Sequence, residues 1–158
     1  MSNTRTVDTW LNSDSQYYHP IQRAAQELLE EACEAEEHGP TAKSEAAEAL
    51  ASFIRDKVTE TMPAVKGLWG ELLDDAFNGI DFEEIARDWL ADFEVFSVFS
   101  STDEEAKLFT SLDEAKGYLE EKLDSDNTMH AGAFLKLASL AVGGSVDIDG
   151  VTYCVGVC

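Results

Sequence analysis

The sequence predicts an α+β protein: a helical N-terminal part of about four helices over residues 1–90, then a small α+β part with two short hairpins over residues 91–158. Three observations carry this. Apolar residues recur at three- and four-residue steps from Ile21 to Leu90, alternation takes over from Phe93 to Phe99, and Asp149-Gly150 sits between two alternating runs as a tight hairpin turn does. No stretch near residue 91 is long enough to act as a linker, so the two parts are expected to pack as one compact unit.

The elements follow in order. Residues 1–20 are polar apart from Trp10, Tyr17 and Tyr18, with Pro20 as a breaker, and Trp10 to Asp14 reads as a short docked segment. Ile21 to about Glu37 carries Ile21, Ala24, Ala25, Leu28, Leu29 and Ala32 on one face, and His38-Gly39-Pro40 terminates it. A second helix runs from Thr41 or Ser44 to about Thr61, with Ala46, Ala47, Leu50, Phe53, Ile54 and Val58 as its apolar face and Pro63 beyond it. A third covers Leu68 to Phe77 and presents Leu68, Trp69, Leu72, Leu73 and Ala76. Asn78-Gly79 turns the chain, and Asp81 caps a fourth helix bearing Phe82, Ile85, Ala86, Trp89 and Leu90, with Glu84 in the capping-box position.

Beyond Leu90 the expected elements are a strand over 93–99, a returning strand over 106–110 and a helix from Ser111 to about Leu123. A largely buried helix over 129–142 and a hairpin over 146–153 complete the chain.

Charge is the unusual quantity. Thirty-two acidic residues against 11 basic ones give a formal net charge of -21. Such a field repels nucleic acid and anionic membranes and attracts basic protein surfaces. The hydrophobic fraction of 44% is that of an ordinary folded domain. Cys33, Cys154 and Cys158 form an odd set without a close pair, as expected of reduced thiols in a cytoplasm. The first residues lack the apolar core of a signal peptide, and no run approaches the roughly 20 apolar residues that span a bilayer. The expected location is the cytoplasm.

Motifs for chemistry are lacking. His19, His38 and His130 lie far apart with no metal-ligand spacing. Asp124 to Thr128 starts like a calcium loop, but Met129 stands at the sharp-turn glycine and Leu135 at the bidentate glutamate, so it reads as a helix connection. There is no nucleophile elbow, phosphate loop or dinucleotide fingerprint. Gly143-Gly144 has no helix after it to bind a phosphate. The expectation is no catalytic residues, no cofactor and no metal.

The acidic helix faces remain. Glu27, Glu30, Glu31 and Glu34 recur three and four apart, which lines carboxylates along one side of a helix about 5–6 Å apart at Cβ. Glu71, Asp74, Asp75, Asp81, Glu83, Glu84, Asp88 and Asp92 fall in one stretch with Arg87 as its one basic residue. Phosphates along one DNA strand are of similar order, roughly 6–7 Å apart, and the duplex carries about one charge per 1.7 Å of axis. A helical row of carboxylates thus offers a comparable ladder to a basic groove. These twelve residues are the candidate partner-binding set.

Two segments resemble a known group. Thr9-Trp10-Leu11-Asn12-Ser13-Asp14, and Leu68 to Phe77 followed by Ile80-Asp81-Phe82-Glu83-Glu84-Ile85-Ala86-Arg87-Asp88-Trp89-Leu90, are similar to small acidic proteins of phages and mobile elements over about the first 90 residues. Phe82 stands where that group commonly has Trp. The resemblance implies work against the host, as in anti-restriction and anti-CRISPR inhibitors, and brings no catalytic residues. The expected function is therefore a non-enzymatic inhibitor that mimics nucleic acid and occupies the basic nucleic-acid-binding surface of a host defence nuclease or complex, with no direct nucleic-acid or membrane binding. The alternative is an acidic protein-binding module whose charge serves only solubility or life at high salt, with exposed aromatics such as Trp10, Tyr17 and Tyr18 making the contact. The oligomeric state is not readable from the sequence.

Overall fold

The computed structural model describes residues 2–35, 41–102, 106–125, 142–148 and 150–157. Among them the protein is α+β, with six helices and one four-stranded antiparallel sheet. Its contacts divide into two units, one of Met1–Leu29 with Lys43–Asp92, the other of Glu30–Ala42 with Phe93–Cys158.

The first unit is helical. Helix α1, Asn3–Ser13, starts where the Ser2 hydroxyl accepts the Arg5 N–H at 3.3 Å. Trp10 to Asp14, expected as a short docked segment, instead close a three-turn helix that is fixed by a serine cap and by a stripe of Thr4, Val7, Asp8 and Leu11 at helical spacing. Helix α2, Ser15–Glu34, begins six residues earlier than expected and runs through Pro20. The cause is Asp14, whose Oδ1 accepts the Gln16 N–H at 2.9 Å and whose carbonyl takes the N–H groups of Tyr17 and Tyr18. With the helix nucleated upstream, Pro20 costs one backbone bond, to the carbonyl of solvent-exposed Gln16.

Helix α3 is Ala42–Glu60, α4 Leu68–Asn78 and α5 Phe82–Ala91. Of the residues the periodicity marks, Ile21, Ala24, Ala25 and Leu29 of α2, Ala46, Ala47, Leu50 and Ile54 of α3, and Phe82, Ile85, Ala86 and Leu90 of α5 are buried, while Leu28, Ala32, Phe53, Val58 and Trp89 are half-buried. Tyr17, Ala42 and Ala51 join the core unmarked. Leu68, Trp69 and Leu72 of α4 are not part of that core.

The second unit holds the sheet and α6. Strands β1 (Phe96–Ser100), β2 (Lys107–Phe109), β3 (Ser145–Ile148) and β4 (Val151–Val157) lie in the order β2-β1-β4-β3. The two expected hairpins therefore merge into one sheet through the β1–β4 ladder, which pairs Phe96 with Val157 and Ser100 with Tyr153. Gly150 has φ +87°, the left-handed conformation a two-residue hairpin turn requires. One face of the sheet buries Phe96, Val98, Ile148, Tyr153 and Val155 against Ala115, Leu119 and Leu123 of α6, Leu112–Ser125. Ser111 caps α6, its hydroxyl accepting the Asp113 N–H at 3.2 Å.

Residues 129–141 of the helix expected over 129–142, the His38-Gly39-Pro40 stop, residues 126–128 of the loop resembling a calcium site, His130, Asp149 and Cys158 lie outside the described residues. Among the described residues no helix is long and apolar enough to cross a membrane.

Candidate acidic docking surface

The α2 row forms as its spacing requires. Tyr17, Ile21, Ala24, Ala25 and Leu29 face inward, which turns Glu27, Glu30, Glu31 and Glu34 outward, and all four are exposed. Glu30, Glu31 and Glu34 occupy the last turns of a helix with no basic residue in its final turn. There the negative end of the helix dipole opposes them, each by a few tenths of a kcal/mol. Their placement therefore works against folding.

Glu30 and Glu34 also line a groove of about 760 Å³ in the second unit, together with Cys33, Lys107, Phe109, Glu114 and Tyr118. The Lys107 ammonium lies 4.8 Å from the Tyr118 ring centroid, and Phe109 packs on the same ring at 5.5 Å. The groove thus gathers three carboxylates and one ammonium. Sequence spacing missed Glu114 because it is more than 70 residues from α2.

In the first unit Glu71, Asp74 and Asp75 are exposed on α4, and Glu83, Glu84 and Asp88 on α5. Asp81 caps α5 as expected, its Oδ1 accepting the Glu84 N–H at 2.9 Å. The reciprocal capping-box bond is replaced: the Asp81 N–H donates to the hydroxyl of buried Thr4, at 3.0 Å, so α1 completes the cap of α5. Asn3 adds a second tie, donating to the Ala76 carbonyl of α4 at 3.0 Å. Asp92 is the exposed C-cap of α5. Arg87 pairs with Glu83 at 2.9 Å in an exposed i,i+4 bridge that contributes little.

Two features of this surface escape sequence reading. Arg55 of α3 lines a shallow groove with Asp81 and Glu83 and lies 5.8 Å from the Phe77 ring, so the fold supplies a second cation to the acidic stretch. Conversely, Asp8 of α1 comes close to Asp88. Burial, then the charge of Asp88, pushes the Asp8 carboxyl above its ordinary value, against smaller opposing effects from Trp89 and Asn12. The Trp89 indole N–H is buried and falls short of hydrogen-bonding geometry, though its dipole still favours the Asp8 anion. Asn12 Nδ2 reaches Asp8 Oδ1 at 3.0 Å.

Among the described residues no three His, Cys, Asp or Glu side chains converge as metal ligands do. No protein-family model matches the chain, nor does any curated protein or solved structure. What the surface can do is electrostatic. It holds solvated carboxylates in rows on rigid helices, a geometry suited to long-range attraction of a cationic partner.

Proposed function

We propose that this chain is a non-enzymatic binding protein whose helical carboxylate rows occupy the basic, nucleic-acid-binding surface of another protein. The observation that carries the reading is the exposure of all twelve candidate carboxylates on α2, α4, α5 and the caps of α5. Solubility alone does not call for three glutamates in the closing turns of α2, where the dipole disfavours them. The target class is a host defence nuclease, a CRISPR–Cas or restriction complex, met in the host cytoplasm by a phage or mobile-element inhibitor. The resemblance of residues 9–14 and 68–90 supports that choice.

The test is inhibition of DNA cleavage by purified Cas and restriction complexes. The wild type is compared with a chain in which Asp74, Asp75, Asp81, Glu83, Glu84 and Asp88 are replaced by their amides. Asp81→Asn keeps the cap, so the fold survives. Inhibition is expected to vanish in the variant and to weaken steeply in the wild type as salt rises. Undiminished inhibition by the six-fold variant sinks the reading. A second reading keeps protein binding but assigns the charge to solubility. Of the aromatics expected to make its contact Tyr17 is buried, Tyr18 half-buried and Trp10 exposed, and the exposed apolar side chains of α4 favour it more strongly.

A further inference from the structure

Helix α4 displays the residues a helix normally hides. Leu68 is 66% exposed, Trp69 73% and Leu72 48%, while its buried residue is Gly70. The helical repeat explains the division. Gly70, Leu73 and Phe77 point inward; Phe77 packs on Phe82 at 5.4 Å. Leu68, Trp69, Leu72 and Ala76 share the opposite side.

The inner face is closed at its start by the preceding loop. A Cβ on Gly70 would stand 2.5 Å from the Val65 carbonyl oxygen, so chain and helix touch there without room for a side chain. Gly67, at φ +71°, makes the turn into the helix. The outer strip is therefore held in place by backbone contacts and left open.

Its border is acidic. Glu71 and Asp75, four residues apart, run along one edge of the strip and Asp74 follows beyond them, all exposed. Asp74 and Asp75 fall toward the C-terminal end of α4, where the dipole disfavours anions and a cation would relieve both. Residues 62–78 contain one basic residue, Lys66.

We infer that the Leu68–Trp69–Leu72 strip of α4 is a docking site for a cationic amphipathic helix of a partner protein. Charge decides between occupants. Anionic lipid and nucleic acid are repelled by a chain of net charge -21, and so is a second copy of the same chain. A partner helix with an apolar stripe edged by Lys or Arg satisfies both halves of the surface at once. Trp is among the residues enriched at interface hot spots, and the helix-in-groove mode uses apolar anchors every three or four residues, the spacing of Leu68, Trp69 and Leu72.

This inference rests on the protein-binding reading above, and its test separates the two. The probe is a synthetic helical peptide of leucine and lysine, about 18 residues long, with leucines at three- and four-residue spacing. A scrambled peptide of the same composition is the control. Titration into the full chain at about 0.05 M and about 0.5 M salt is followed by calorimetry and Trp fluorescence.

The amphipathic peptide is expected to bind more tightly than the scrambled one and to retain binding at high salt. Trp69→Ser and Leu72→Ser are each expected to weaken it about tenfold or more at both salts. Circular dichroism checks the fold, which exposed positions leave intact. If both serine variants bind as the wild type does while the six-fold amide variant loses binding, the α4 site falls and the carboxylate reading stands. If the serine variants lose peptide binding and the amide variant still inhibits the nucleases, the α4 site stands and mimicry falls. A concentration-dependent dimer of the wild type, abolished by Trp69→Ser, would assign the strip to self-association instead and overturn the proposal.

Discussion

Helices α4 and α5 are neighbours in sequence, similar in length and similarly patterned, yet they use their apolar residues in opposite ways. Helix α5 buries Phe82, Ile85, Ala86 and Leu90, starts from a carboxylate cap and sets Glu83 and Glu84 in its first turn, where the dipole favours them. Helix α4 exposes Leu68, Trp69 and Leu72, starts from Gly67 without a side-chain cap and carries Asp74 and Asp75 in its second half. In α5 the cap, the first-turn acids and the buried face work toward folding. In α4 the apolar side chains that could have added burial face water, at roughly 25 cal/mol for each Å² left uncovered. That difference teaches that amphipathic periodicity identifies a helix with an apolar side, without stating whether the chain itself supplies the cover.

Ile85→Ala removes a fully buried side chain and is expected to destabilise the protein by about 2–5 kcal/mol in chemical denaturation. Leu72→Ala, on the open side of α4, is expected to stay within about 0.5 kcal/mol of the wild type. Comparable losses at the two positions would mean that α4 is covered in solution and that the contrast is wrong.

Next comes Gly70. Alanine is the better helix former by about 1 kcal/mol, so an open site would gain stability from Gly70→Ala. Here the added Cβ meets a backbone carbonyl at 2.5 Å, and neither partner is a flexible chain end. A net loss of about 1–3 kcal/mol is expected. A gain would show that the loop before α4 is not seated on the helix.

The third effect concerns how α5 is joined to α1. Thr4→Val keeps the shape and removes the acceptor of the Asp81 N–H, at an expected cost of about 1–2 kcal/mol. Asp81→Ala, which removes the Glu84 cap bond, is expected to cost about 1 kcal/mol. The two sites share one residue, so the double variant should lose less than the sum. Strict additivity would mean that the two bonds act independently.

Much of this fold was legible in the sequence, and the exceptions have physical causes. The cores of α2, α3 and α5, the Asp81 cap and both hairpins follow from periodicity and turn chemistry. Helix α1 was missed because half of its stripe is polar: Thr4 and Asp8 stand where apolar residues would signal a helix. The start of α2 was missed because Pro20 outweighed Asp14, although a proline near a helix start removes only one backbone bond. On the surface, rows within one helix were legible, because helical spacing alone fixes which carboxylates share a side. Arg55, Glu114 and Asp8 were not, since only tertiary packing brings them beside the acids. The exposure of Trp69 was unreadable for the reason α4 and α5 differ, which is that pattern does not report cover.

Asp8 gives the smallest and most diagnostic effect. It occupies the α1 stripe between buried Thr4 and Leu11, facing an α5 that presents Asp88 and Trp89. Burial first, then Asp88, raises its carboxyl, so the folded chain holds the proton more tightly than the unfolded chain does. Stability from this residue is therefore greatest at low pH and is lost as pH rises through the raised folded value; above that the charged carboxylate opposes folding. Asp8→Asn keeps an acceptor for Asn12 and removes the charge. It is expected to raise the melting temperature at pH 7 by about 1–2 °C, since the site is partly solvated and a gain near 0.5 kcal/mol is all that screening leaves. The gain should shrink as pH falls through the raised folded value, where the wild-type carboxyl also becomes neutral. If Asp8→Asn instead lowers the melting temperature at pH 7, the bonds from Asn12 and the Trp89 dipole outweigh the repulsion. Helix α1 would then be held to α5 by its acid rather than in spite of it, and the acidity of this chain would have a folding role that α4 shows no sign of.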